Sequence, residues 1–120
     1  LIINRPNQRL LKIEELEFDV KINKTSSGFN LDKDKIHFGK MPPGNSAFRD
    51  IIMTNNITKI QYVVITGSGE AGRWISAEPN EFFLDINETI KVKIFLNTPL
   101  DADEKLYEGK IKIYFYEILR

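Results

Sequence analysis

Residues 97–117 read NTPLDADEKLYEGKIKIYFYE. Asp101, Asp103 and Glu104 crowd one short stretch, and Glu108 follows. From Lys110 the chain alternates Lys, Ile, Lys, Ile and runs into Tyr114, Phe115 and Tyr116. A D-x-D step supplies two of the six to eight oxygens that a hard cation such as calcium needs. The stretch lacks the Gly and the bidentate Glu at EF-hand spacing, and Pro99 and Gly109 bracket it as a turn is bracketed. The acidic residues therefore read as the turn that feeds a final strand, with Ile111, Ile113 and Phe115 on its buried face.

The same period of two recurs upstream. Leu16, Phe18, Val20 and Ile22 share one face of EELEFDVKIN, and Ile90, Val92, Ile94 and Leu96 share one face of TIKVKIFLN. FRDIIMTN and IQYVVITG are two more apolar runs, separated by Asn55-Asn56. In the first of these, Arg49, Ile51 and Met53 compete with Phe48, Asp50 and Ile52 for the inward face. Short runs at 36–38, 73–76 and 82–85 complete about seven or eight strands, each bounded by Gly, Pro, Asn or Asp. No segment carries a 3.6-residue stripe. Leu10, Leu11 and Ile13 have helical spacing, but Pro6 and the early Asn residues favour an extended lead-in over residues 1–13, with the domain at 14–120. The expected fold is all-β: an immunoglobulin-like two-sheet antiparallel sandwich of about seven strands, with a small barrel as the alternative.

Composition narrows the function. The chain has 120 residues, 42% hydrophobic and 28% charged, as expected for one folded domain. Lys plus Arg equals Asp plus Glu, 17 each, which leaves no long-range field to draw in nucleic acid or an anionic membrane. The absence of cysteine removes disulfides, thiolate nucleophiles and thiolate metal sites. His37 is the one histidine, with no triad partner at a recognisable spacing. Asp32 and Asp34 are interleaved with Lys33 and Lys35, which weakens them as cation ligands. TGSGEAG, residues 66–72, is glycine-rich, yet a strand-like Arg73-Trp74-Ile75 follows it where a phosphate loop needs a helix. It reads as a flexible connection. Trp74 reads as core filler between sheets. No catalytic residue, metal or cofactor is expected.

Three stretches carry a resemblance: HFGKMPPG with the following strand ending in Asn55; Trp74, Ser76 and Pro79 with the strand around Leu84; and Pro99, Ala102, Tyr107 and Gly109 ahead of the last strand. Together they resemble the immunoglobulin-like domains of archaeal and bacterial surface proteins, including the NPCBM-associated domains of alpha-galactosidases and major-sperm-protein-like modules. The resemblance spans roughly residues 15–117 and implies a fold rather than an activity. Lys105 stands where these domains usually place Gly. The Ile-, Lys- and Asn-rich composition fits an AT-rich, archaeal genome.

Two further features bear on function. Asn23-Lys24-Thr25, Asn56-Ile57-Thr58 and Asn87-Glu88-Thr89 are N-glycosylation sequons, where chance gives about one. Used sequons place the protein outside the cytoplasm, at the cell surface. Leu1-Ile2-Ile3 fits the end of a removed N-terminal anchor, the one expected link to a membrane. The second feature is an outward stripe. With Ile111, Ile113 and Phe115 inside, Tyr114, Tyr116 and Ile118 point out, and Phe95 does so on the strand before, which an immunoglobulin-like layout makes a neighbour. IQYVVIT is apolar on both faces and is expected beside them. Such a patch is rarely bare. Either a partner covers it, with Lys93 and Lys112 among the rim charges, or residues 1–13 fold back over it. The expectation is a non-catalytic interaction module whose partner is another envelope protein or a second copy in a homodimer. A carbohydrate-binding module using Tyr114, Tyr116 and Asn97 is the first alternative, and a calcium-dependent surface domain the second.

Overall fold

The alternating runs become eight strands in a computed structural model that describes residues 7–23 and 35–119. They are β1 (Gln8–Ile22), β2 (Ile36–Met41), β3 (Ser46–Thr54), β4 (Gln61–Ser68), β5 (Ile75–Glu78), β6 (Glu81–Leu84), β7 (Thr89–Asn97) and β8 (Leu106–Ile118). A five-stranded sheet in the order β2-β1-β8-β4-β6 packs on a three-stranded sheet in the order β3-β7-β5. The fold is the all-β sandwich that the periodicity implies. Among the described residues every pairing is antiparallel except β1–β2, which is parallel.

Parity decides which side chains of each strand face the core. On β8 the odd residues Ile111, Ile113 and Phe115 are buried, and the even ones are not. Its partners follow suit: Phe18, Val20 and Ile22 on β1, Val63 and Ile65 on β4, and Leu84 on β6 all turn inward. The opposing sheet supplies Val92, Ile94 and Leu96 from β7 and Met53 from β3. Phe18 meets Phe38 edge-to-face, with centroids 5.9 Å apart. Each such side chain contributes roughly 1.5–3 kcal/mol by leaving water.

Several sequence expectations change. The boundary at residue 13 falls inside a strand, because β1 pairs with β8 from Gln8 opposite Ile118 onward. Residues 8–13 therefore extend the sheet and do not fold across it. Residues 1–6, Thr25, Asp32 and Asp34 lie outside the described residues. The strand expected at 73–76 begins at Ile75, after a 3₁₀ turn at Gly72–Trp74. Trp74 is partly buried against the core, its ring centroid 4.7 Å from that of Tyr107. The ambiguous phase of β3 resolves with Arg49, Ile51 and Met53 inward, opposite β7 residues Ile94, Val92 and Ile90. Arg49 manages this at an edge strand: its guanidinium lies 5.3 Å over the Phe38 ring and donates to the His37 carbonyl.

The glycine-rich connection is packed, not loose. Ala71 is fully buried, and its N–H donates to the Glu108 carbonyl at 3.1 Å. Gly67 and Gly72 cross backbone to backbone so closely that a Cβ on Gly67 would stand 2.2 Å from the Gly72 carbonyl oxygen. The obstacle is main chain, so it cannot rotate away. Gly67→Ala should lower stability by about 1–3 kcal/mol through overpacking, read as a lower denaturant midpoint with an unchanged transition slope.

Candidate functional site

The outer face of the five-stranded sheet divides in two. Its rows can be read across the strands from the register. Leu10, Tyr116, Tyr62 and Phe83 form one continuous row over β1, β8, β4 and β6. Ile13, Tyr114, Val64 and Glu81 form the next. Beyond them the rows turn charged: Glu15 beside Lys112 and Thr66, then Glu17 beside Lys110 and Ser68. One half of the face is therefore aromatic and aliphatic, the other ionic.

In the apolar half, Tyr62 stands between two other rings. Its centroid lies 5.1 Å from Phe83 and 6.2 Å from Tyr116, tilted by 51° and 46°. The Tyr62 hydroxyl donates to Glu81 Oε1 at 2.6 Å. Phe83 is 58% exposed, Ile13 47% and Leu10 44%, so the patch is open to solvent rather than roofed by the described chain. Burial raises the Tyr116 pKa above its usual value, and the nearby Tyr114 adds to the shift.

At the strand ends the apolar half deepens into a groove of about 860 Å³. Its apolar wall is Ile60, Phe83, Ile86, Ile118 and Leu119, and Asp85, Glu88 and Lys59 stand at its margin. Asn55 holds this region together. It is fully buried, and its Nδ2 donates to the Lys59 and Leu84 carbonyls at 2.8 and 2.9 Å. Its Oδ1 accepts from the Ile57 N–H, and its main chain bonds both Asn87 and Glu88. One side chain thereby ties the loop carrying Ile60 to the turn carrying Ile86.

The ionic half is satisfied within itself. Glu15 reaches Lys110 at 3.3 Å and Lys112 at 3.8 Å, and Lys35 bridges Glu108 and Asp19 at 2.9 and 3.4 Å. The Glu108 hydrogen bond is the main cause of a raised Lys35 pKa. His37 Nδ1 lies 2.7 Å from Asp19.

Of the residues expected on one surface, Tyr114, Tyr116, Ile118 and Lys112 share this face. Phe95 and Lys93 do not. Their strand β7 lies in the other sheet, between β3 and β5, so the expected adjacency to β8 is wrong. Phe95 sits between Phe48 and Ser76, and the Lys93 ammonium lies 4.1 Å over the Phe48 ring. The loop after β7 is a turn closed by the Ala102 N–H on the Pro99 carbonyl, and the Tyr107 hydroxyl bonds the Asp103 carbonyl at 3.1 Å. Among the described residues no group of three or more potential metal ligands gathers.

Asn56 and Asn87 are exposed at the same end of the sandwich; Ile86 and Glu88 on either side of Asn87 line the groove, as does Thr58 two residues after Asn56. Asn87 has φ of 63°, a left-handed conformation that Asn tolerates in turns. Asn23 is half-buried.

Sequence reasoning missed Leu10, Ile13, Ile60, Phe83, Ile86 and Leu119. Ile60 and Phe83 were within reach: Ile60 shares parity with Tyr62 and Val64, and two adjacent Phe residues in one strand cannot both face inward. Comparison of the chain with protein-family models, curated proteins and solved structures finds no match.

Asn55→Ala should cost about 1–3 kcal/mol, because the buried Leu84 carbonyl and the part-buried Lys59 carbonyl lose their donor, and amide exchange should accelerate in residues 55–60 and 85–88 first. The Tyr116 phenol ionises later in the folded chain than in the unfolded one, so its contribution stands below about pH 10 and is lost as pH rises through the folded value. Tyr116→Phe should flatten the fall in urea midpoint between neutral and strongly alkaline pH.

Proposed function

We propose that this chain is a non-catalytic interaction module of a cell-envelope protein, and that it docks a protein partner on the outer face of its five-stranded sheet. The supporting observation is the row Leu10–Tyr116–Tyr62–Phe83, which lies uncovered by any described segment and opens into an apolar groove. Contiguous apolar patches of this kind are characteristic of surfaces that meet another molecule. Tyr and Phe are the residue types enriched where proteins meet. The partner is another envelope protein or, most simply, a second copy related by a two-fold axis. Lys110 and Lys112 flank the apolar half and bias orientation rather than bulk affinity.

Placement outside an archaeal cell is part of this proposal. It is supported by the two exposed sequons at one end and by the composition. The sandwich is compatible with the immunoglobulin-like layout of surface modules, and membership of the NPCBM-associated or major-sperm-protein-like group is likewise proposed on the residues that carry it.

A carbohydrate-binding reading has one specific observation in its favour: three rings stand in line across three strands, with the Glu81 carboxylate beside them. It ranks second because the rings are tilted by about half a right angle to one another. A flat sugar stacks best on coplanar faces.

Leu10→Lys combined with Phe83→Lys tests the docking face. Both side chains are well exposed, so the melting midpoint should stay within about 2 °C of the parent. The parent should self-associate in sedimentation velocity or cross-link to a protein from a photo-reactive residue at position 83, and the double variant should do neither. A parent that stays monomeric and cross-links to nothing in its own envelope, while binding an oligosaccharide on an array, would replace the protein partner with a glycan.

A further inference from the structure

We infer that the partner presents an extended segment bearing apolar and basic residues, added along the outer edge of β6 with one apolar side chain seated in the groove. The inference rests on the reading of this face as a docking surface and names the chemistry of the occupant.

Three observations converge on β6. The first is its edge. Among the described residues β6 pairs with β4 alone. The Ile65 N–H donates to the Asn80 carbonyl at 2.9 Å, which fixes the alternation: the main-chain groups of Phe82 and Leu84 turn toward β4. Those of Glu81 and Phe83 turn away, leaving two N–H and two C=O groups aimed along the edge. An extended peptide satisfies such groups by strand addition, and its alternate side chains then enter the pockets beside the edge.

The second observation is the groove, which opens where β6 ends. Phe83 belongs to both the edge and the groove, and Ile60, Ile86, Ile118 and Leu119 complete an apolar wall large enough for a Leu or aromatic side chain.

The third is charge. Glu81 stands on the edge, and Asp85 and Glu88 line the groove margin. Lys59 lines the groove too, but its ammonium is drawn to Glu117 at 3.4 Å. Glu88 Oε1 accepts from the Asp85 N–H at 2.7 Å and Asp85 Oδ1 from the Ile86 N–H at 2.8 Å. These bonds hold the carboxylates in place without neutralising them. A margin of this sign favours a cationic segment and rejects an anionic one.

The experiment uses the full chain and two fluorescein-labelled heptapeptides, Lys-Val-Lys-Leu-Lys-Val-Lys and its counterpart with Glu at each Lys, in fluorescence anisotropy at physiological salt. The basic peptide should bind about tenfold or more tightly than the acidic one. N-methylation at alternate residues should abolish binding in one phase and spare it in the other, as a single hydrogen-bonding edge requires. Ile86→Ser, at an exposed turn, removes apolar wall without adding charge and should weaken binding about tenfold or more without moving the melting midpoint. Equal affinity for both peptides, or indifference to N-methylation in both phases, overturns the inference. So does a gain of about tenfold on removing residues 1–6, which would assign the groove to the chain's own start. If the peptides fail while position 83 still cross-links to a protein, the edge assignment falls and the docking face stands. If both fail, the face falls with it.

Discussion

Everything in this sandwich follows from β8 being paired on both sides along most of its length. It meets β1 from Leu106 to Ile118 and β4 from Lys110 to Glu117. A strand held on both sides cannot slip by one residue without carrying its whole apolar set to the wrong face. Odd residues are thus fixed inward, and because β1 and β4 must match them, so is the outward identity of their neighbours. The aromatic row is the unavoidable reverse side of the core. Placing Ile111, Ile113 and Phe115 inside sends Tyr114 and Tyr116 outside, and β4 answers with Tyr62 and Val64 opposite them. What is not forced is that these outward residues should be greasy. The adjacent Lys110 and Lys112 show that the same strand carries charge there without difficulty.

How far the sequence discloses this depends on where its period is clean. In β8, β7 and the second half of β1 the alternation is unbroken, and the inward sets read directly. The first half of β1 hides itself. A bulge at Leu11 leaves that residue unopposed and shifts the phase, so that Leu10 and Ile13 fall on one face. Three residues apart, they mimic a helical turn, which is why 1–13 reads as a lead-in. The same bulge puts both side chains on the apolar patch. The irregularity that obscures the strand also enlarges the site.

Sheet membership is the second thing the period cannot give. Phe95 is outward by parity, and it is outward in the fold, but parity is a property of one strand and carries no address. The chain crosses between sheets after β6 and again before β8, so strands adjacent in sequence part company. Lys93 and Phe95 are consequently matched to Asp50 and Phe48, in a small face of their own. Pairing across sequence distance is settled by long-range packing, of which Asn55 against Leu84 is an example. The asparagine was legible as a strand end; its role in joining two loops was not, because its partners are main-chain atoms that any residue supplies.

In the proposed docking, the division of the outer face bears on how a partner is chosen. An entirely apolar sheet face would invite unspecific stacking of sheet on sheet. Here the ionic half closes on itself, with Glu15 between Lys110 and Lys112 and Lys35 between Asp19 and Glu108. To slide over that half, a second apolar surface must strip water from charges whose mutual attraction at the surface is small. The cost falls on one side of the face only, so it confines contact to the rows of Tyr62 and Tyr114 and to the groove beyond them. Confinement at one end and an acidic margin at the other leave few orientations open to an occupant. On that proposal, specificity comes as much from what surrounds the aromatic row as from the rings themselves.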